Sequence, residues 1–168
     1  MKKRITAALL ALCLVLPLAA CGQAAEPELD IDAFGEELYA AGKFGETLYA
    51  LDEAVAQGLY GTGDDTRCWV RAGTGATAEE LAVFETADAE AAAALVTKLE
   101  ARNADRIENY SSYIPSEVPK LEDAVIISGG RYVVLCVAAP GVSDGPIPKA
   151  VCFWQRQLHR VPVPFRRC

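Results

Sequence analysis

Residues 124–138, AVIISGGRYVVLCVA, decide the fold. Val125 to Ile127 and Tyr132 to Val137 are apolar runs rich in β-branched residues, and Ser128, Gly129 and Gly130 between them supply the backbone freedom of a tight hairpin. Upstream, residues 88–114 (DAEAAAALVTKLEARNADRIENYSSYI) have high helix propensity, with Leu95, Leu99, Ile107, Tyr110 and Ile114 on one face and Pro115 as the stop. Further upstream, RCWVRAG (67–73) alternates Cys68, Val70 and Ala72 against Arg67, Trp69 and Arg71, a strand with one polar face. TGATAEELAVFETA (74–87) predicts a turn, a capping box from Thr77 to Glu80 and an apolar strand over Leu81 to Phe84, paired with its predecessor as a hairpin. Two helical patterns come first. DIDAFGEELYAAG (30–42) is capped by Asp30 or Asp32 and closed by Gly42, and TLYALDEAVAQGLYG (47–61) closes on Gly58 and Gly61. This order predicts an α+β domain: an antiparallel sheet of about four strands backed by a long helix, with N-terminal helices.

The chain opens with Lys2, Lys3 and Arg4, an apolar segment from Ile5 to Leu16, then Pro17 and small residues, the anatomy of a secretory signal. The apolar run falls short of the ~20 residues a membrane span needs. Leu18-Ala19-Ala20-Cys21 resembles the lipobox of bacterial lipoproteins, in which the cysteine receives a diacylglyceryl group and becomes the first mature residue. We expect residues 1–20 to be a cleaved signal peptide, Cys21 to be the lipidation site and residues 21–29 to be a flexible tether. Two acyl chains suffice for stable attachment. Residues 30–139 would then form one extracytoplasmic domain on the cell membrane.

Between Cys21 and Ala139 stand 8 Lys and Arg against 22 Asp and Glu, a net charge of −14. Such a body disfavours nucleic acid and anionic lipid as partners of its own surface. Cys68 and Cys136 lie in apolar strands, and buried free thiols are favoured over a bridge. No cysteine pair has the spacing of a zinc or thioredoxin-like site, so neither cofactor nor metal is expected. GTGDDT (61–66) lacks the alternating ligands of a calcium loop, and RAGTGATAEE (71–80) lacks the Gly-Lys-Ser/Thr of a phosphate loop. One candidate binding patch remains, Trp69 between Arg67 and Arg71, whose guanidinium groups can stack on the indole.

A family resemblance rests on LYG (59–61), GATAEELAVFET (75–86), YIPSEVPKLEDAVI (113–126) and GGRYVVL (129–135). Together these resemble the lipoproteins of domain of unknown function family 4358, over roughly residues 30 to 138. The resemblance implies fold and location, supplies no catalytic residues, and implies a short acidic helix after Ala139. The sequence departs there. Residues 140–168, PGVSDGPIPKAVCFWQRQLHRVPVPFRRC, carry 5 Lys and Arg against one Asp and show no helical apolar period. They read as an atypical basic tail from a shifted reading frame. The competing reading is a genuine tail that touches anionic wall polymers or lipid headgroups. Gly141-Val142-Ser143-Asp144-Gly145 matches a nucleophile elbow in letters only. Pro146 and Pro148 deny the following helix, and Asp144 is too near Ser143 to orient His159.

The functional expectation is a lipid-anchored module that binds an unknown envelope protein or ligand, or organises the envelope. The alternative is a small hydrolase or transferase using dispersed acidic residues, which needs an open cleft with carboxylates of raised pKa.

Overall fold

The computed structural model describes residues 28–139. Within them Ile31–Ala41 is α1, Tyr49–Ala50 is β1, Glu53–Tyr60 is α2, Arg67–Ala72 is β2 and Glu80–Glu85 is β3. Ala89–Tyr113 is the long α3, and a 3-10 turn over Pro115–Glu117 leads into α4, Val118–Glu122. Val125–Gly129 is β4 and Tyr132–Val137 is β5. The sheet order is β1-β2-β3-β5-β4, antiparallel throughout. The α+β class and the antiparallel sheet hold. A fifth strand, β1, joins the expected four because Tyr49 and Ala50 pair with Ala72 and Arg71 before the second helix begins at Glu53.

Local chemistry sets the element ends. Asp30 Oδ1 accepts from the amides of Asp32 and Ala33 to start α1, Asp52 caps α2 and Asp88 caps α3. Gly61, after α2, has φ +64° and closes the helix in the left-handed region. Gly130, φ +56°, turns the β4–β5 hairpin. The capping box expected at Thr77–Glu80 does not form, because the chain there turns directly from β2 into β3. Thr77 Oγ1 accepts from the Glu79 amide, and the Glu80 side chain goes to arginines.

Helices cover both faces of the sheet. On one face α2, α3 and α4 bury Tyr60, Leu95, Leu99 and Leu121 against Val70, Phe84, Val133 and Leu135. On the other, α1 buries Ile31, Phe34 and Leu38 against Leu81, Val83, Val134 and Cys136. Every residue of β5 is therefore buried, and its sequence YVVLCV shows no polar alternation. Cys68 and Cys136 are free and buried on opposite faces, so the sheet itself separates the two thiols. Among the described residues no helix is long and apolar enough to cross a membrane.

Candidate functional site

Two features stand out at the end of the sheet where Ala72 pairs with Glu80 and Glu80 with Val137. The first is a buried ionic clamp. Glu80 opens β3 with its side chain only 3% exposed. It receives both terminal nitrogens of Arg102, at 2.8 and 3.3 Å, and Arg106 at 2.8 Å. Its neighbour Glu79, on the preceding turn, has a fully buried side chain 3.1 Å from Lys120 Nζ, and its Oε2 accepts from the Gly45 amide at 2.7 Å. Lys120 also donates to Thr77 Oγ1 at 3.0 Å and pairs with Glu117 at 2.9 Å. Glu117 accepts from the Thr77 hydroxyl and the Ala78 amide at 2.7 and 2.8 Å. Arg106 donates to the Ala78 carbonyl and Tyr110 to the Thr77 carbonyl.

The helix supplies these groups in order. Arg102, Arg106 and Tyr110 are four residues apart, so one stripe of α3 lies along the turn from Thr77 to Glu80. Three carboxylates face three cations, and the charges balance. Burial by itself would raise the Glu117 carboxyl, but hydrogen bonds from Thr77 and the Ala78 amide, with the Lys120 ammonium, outweigh it and hold Glu117 below its ordinary value. Burial would lower Lys120, and its hydrogen bonds to Glu117 and Glu79 more than compensate. An acid–base site needs carboxylates that a substrate can reach, whereas Glu79 and Glu80 are closed off and engaged by cations. The chemistry this arrangement performs is cohesion: it ties the β2–β3 turn to α3 and α4.

The second feature is an open groove of about 390 Å³ on the loop after α1, lined by Tyr39, Gly42, Phe44, Gly45, Glu46 and Thr47. Tyr39 and Phe44 stack with centroids 5.5 Å apart. The Tyr39 hydroxyl accepts from the Leu48 amide at 3.2 Å, and Glu46 Oε1 accepts from the Thr74 amide at 3.1 Å. Gly45 lies directly over Glu79, whose Oε1 would be 3.2 Å from a Cβ placed there. The loop is thus fastened to the clamp from below while its aromatic and carboxylate side chains line the opening.

Arg67, Trp69 and Arg71 do share one face of β2, and α1 runs along them. Arg67 pairs with Asp32 at 2.9 Å, and Arg71 meets Glu36 at 2.6 Å. The indole of Trp69 packs against Gly35, so closely that a Cβ there would overlap the ring. Arg71 also lies 4.7 Å from the Tyr39 ring centroid and 5.7 Å from that of Trp69. The three side chains are engaged in docking α1. The groove was missed in the sequence because KFGET (43–47) has no periodicity or motif, and its one usable signal was the pair of glycines around an aromatic. Leu18, Ala19, Ala20 and Cys21 of the expected lipobox, with Ser143 and His159, lie outside the described residues.

Residues 64–138 match the family described as a domain of unknown function, DUF4358. Over that span the chain resembles DUF4358. The span begins before β2 and ends after β5, so the DUF4358 match contains both hairpins, α3 and the whole clamp except its Gly45 contact. It starts later than the resemblance over residues 30 to 138 suggested, and α1, β1, α2 and the groove fall outside it. No curated protein and no solved structure matches the chain. DUF4358 carries no assigned activity in its description, so no residue role comes with the match.

Proposed function

We propose that the chain is an extracytoplasmic lipoprotein, held on the cell membrane through Cys21, whose DUF4358 domain serves a binding or envelope-organising role. The observation that carries the binding half is the closed, charge-balanced clamp. The most deeply buried carboxylates hold the fold together, and what faces solvent is a loop groove of the kind used for recognition. The location half is supported by the leader and by Leu18-Ala19-Ala20-Cys21, followed by a short tether into α1. An unknown envelope protein or ligand is the partner in this reading. Metabolic labelling with an alkynyl palmitate tests the anchor. Wild type should label, and Cys21→Ser should not. The variant's uncleaved leader can still pellet it with membranes, so labelling decides and fractionation does not. Undiminished labelling of Cys21→Ser would refute the anchor.

A further inference from the structure

We infer that the outer side of α2, with Tyr49 of β1 beside it, is a self-association surface that joins the domain to a second copy of the chain about a two-fold axis. The inference goes beyond the binding reading and depends neither on the groove nor on Cys21.

Among the described residues four large apolar side chains stand exposed, and three of them fall between Tyr49 and Leu59. Tyr49 is 58% exposed, Val55 57% and Leu59 47%. The contacts of α2 place the three together. Ala56 and Tyr60 are buried with Val70 and Phe84. Glu53 accepts from the Cys68 amide and Gln57 donates to the Thr66 carbonyl, so that side of the helix faces the start of β2. At 3.6 residues per turn Val55 and Leu59 lie across the helix from Glu53 and Gln57, and they face the Ala72 end of the strand. Tyr49 stands at that end, because it pairs with Ala72 on the sheet face that carries Val70 and α2. Gly58 lies next to Val55 and Leu59 on the helix surface, and nothing stands within 4 Å of a Cβ placed there. A glycine inside a helix is destabilising, and no contact within the domain calls for this one. It leaves a notch between two apolar knobs, into which a knob of a second α2 fits.

Charge fixes the direction of the pairing. Asp52, one turn before Val55, is exposed, and Lys98 Nζ sits 3.0 Å from the Gly61 carbonyl at the other end of α2. Neither has an ion-pair partner among the described residues. The eight-residue helix holds them about 12 Å apart. An antiparallel second copy sets Asp52 beside the second copy's Lys98 and Lys98 beside the second copy's Asp52. One two-fold operation therefore makes both ion pairs and packs Val55 against Leu59, whereas a parallel arrangement brings like charges together. So short a helix makes a small interface, and the dimer is a weak, reversible one with a Kd in roughly the micromolar range.

The test replaces Leu59 with photoreactive p-benzoylphenylalanine in the full chain, made in its native host in two differently tagged forms, and irradiates intact cells. The two tags should appear in one crosslinked species, and its mapped peptides should join α2 to α2. The same group at Glu100, exposed on α3, should give no such species. With the photoreactive group at 59, Val55→Asp and Gly58→Ala should each lower the yield at least about tenfold. Both positions are open in the single domain, so thermal unfolding of Val55→Asp should stay near wild type and that of Gly58→Ala should rise. No crosslink, a crosslink to another protein or to lipid in place of a second copy, or an unchanged yield in both variants would overturn the inference. A chain that labels with palmitate yet gives no homodimer loses this interface alone, and one that crosslinks without labelling loses only the anchor.

Discussion

Gly35→Ala should destabilise the domain although alanine is the better helix former. Gly35 sits mid-way along α1 and faces the Trp69 indole, whose Cε2 would lie 2.7 Å from an added Cβ, with other ring atoms nearer still. Replacing glycine by alanine inside a helix returns about 1 kcal/mol of propensity. Forcing a methyl into a rigid aromatic ring displaces α1 or the ring, and overpacking of this kind costs about 1–3 kcal/mol. The indole cannot withdraw easily, because Arg71 stacks near it and α1 is fastened on either side by the Arg67–Asp32 and Arg71–Glu36 pairs. We therefore take the upper end of that range and expect a net loss of about 2 kcal/mol, or about 8 °C in Tm for a domain of this size. Urea unfolding followed by circular dichroism measures the first quantity and a thermal scan the second. A double-mutant cycle with Trp69→Leu isolates the contact: the double variant should be more stable than the sum of the singles by at least about 1 kcal/mol. If Gly35→Ala instead stabilises the protein by the propensity increment, α1 does not lie on Trp69, and the face carrying Arg67, Trp69 and Arg71 is open.

Other consequences concern the clamp and the thiols. Lys120→Met leaves Glu79 and Glu117 without their ammonium and should cost about 3 kcal/mol in urea unfolding, with part regained in Lys120→Met/Glu79→Gln; an unchanged midpoint would disprove the pairing. Glu117 has a depressed folded pKa, so its contribution is present above the unfolded value of 4.5 and is lost as pH falls through the lower folded value. Stability measured from pH 7 to pH 2 should fall less steeply below pH 4.5 for Glu117→Gln than for wild type, and parallel curves would contradict this. Burial pushes the Cys136 thiol up to about 12, and burial likewise raises Cys68, so both should resist maleimide at pH 8 until the domain unfolds. Peptide mapping after timed labelling reads this out, and fast native labelling at either position would count against the packing of that sheet face.

The elements that were legible in the sequence are those whose residues act locally. Asp30 caps a helix wherever the neighbouring sheet lies, the glycines around Gly130 turn a hairpin, and Pro115 stops α3. What stayed hidden depends on pairings between distant residues. TAEE reads as a helix start until Arg102 and Arg106, more than twenty residues away, claim Glu80. The polar face of β2 reads as a surface until Asp32 and Glu36 of α1 reach it. The clue to α1's position was the uninterrupted apolar run of β5, which requires cover on both faces. The groove was not legible, since Tyr39, Phe44 and Glu46 converge only once Thr74 and Glu79 hold the loop.

The proposed mature lipoprotein begins at Cys21, and the intact mass of the protein extracted from membranes of its native host reads this out. The expected mass is that of a chain starting at Cys21 and carrying a diacylglyceryl group, and the same spectrum shows whether residues 140–168 are present as written. A chain that retains Met1, or one that starts near Cys21 with no added lipid mass, would contradict it.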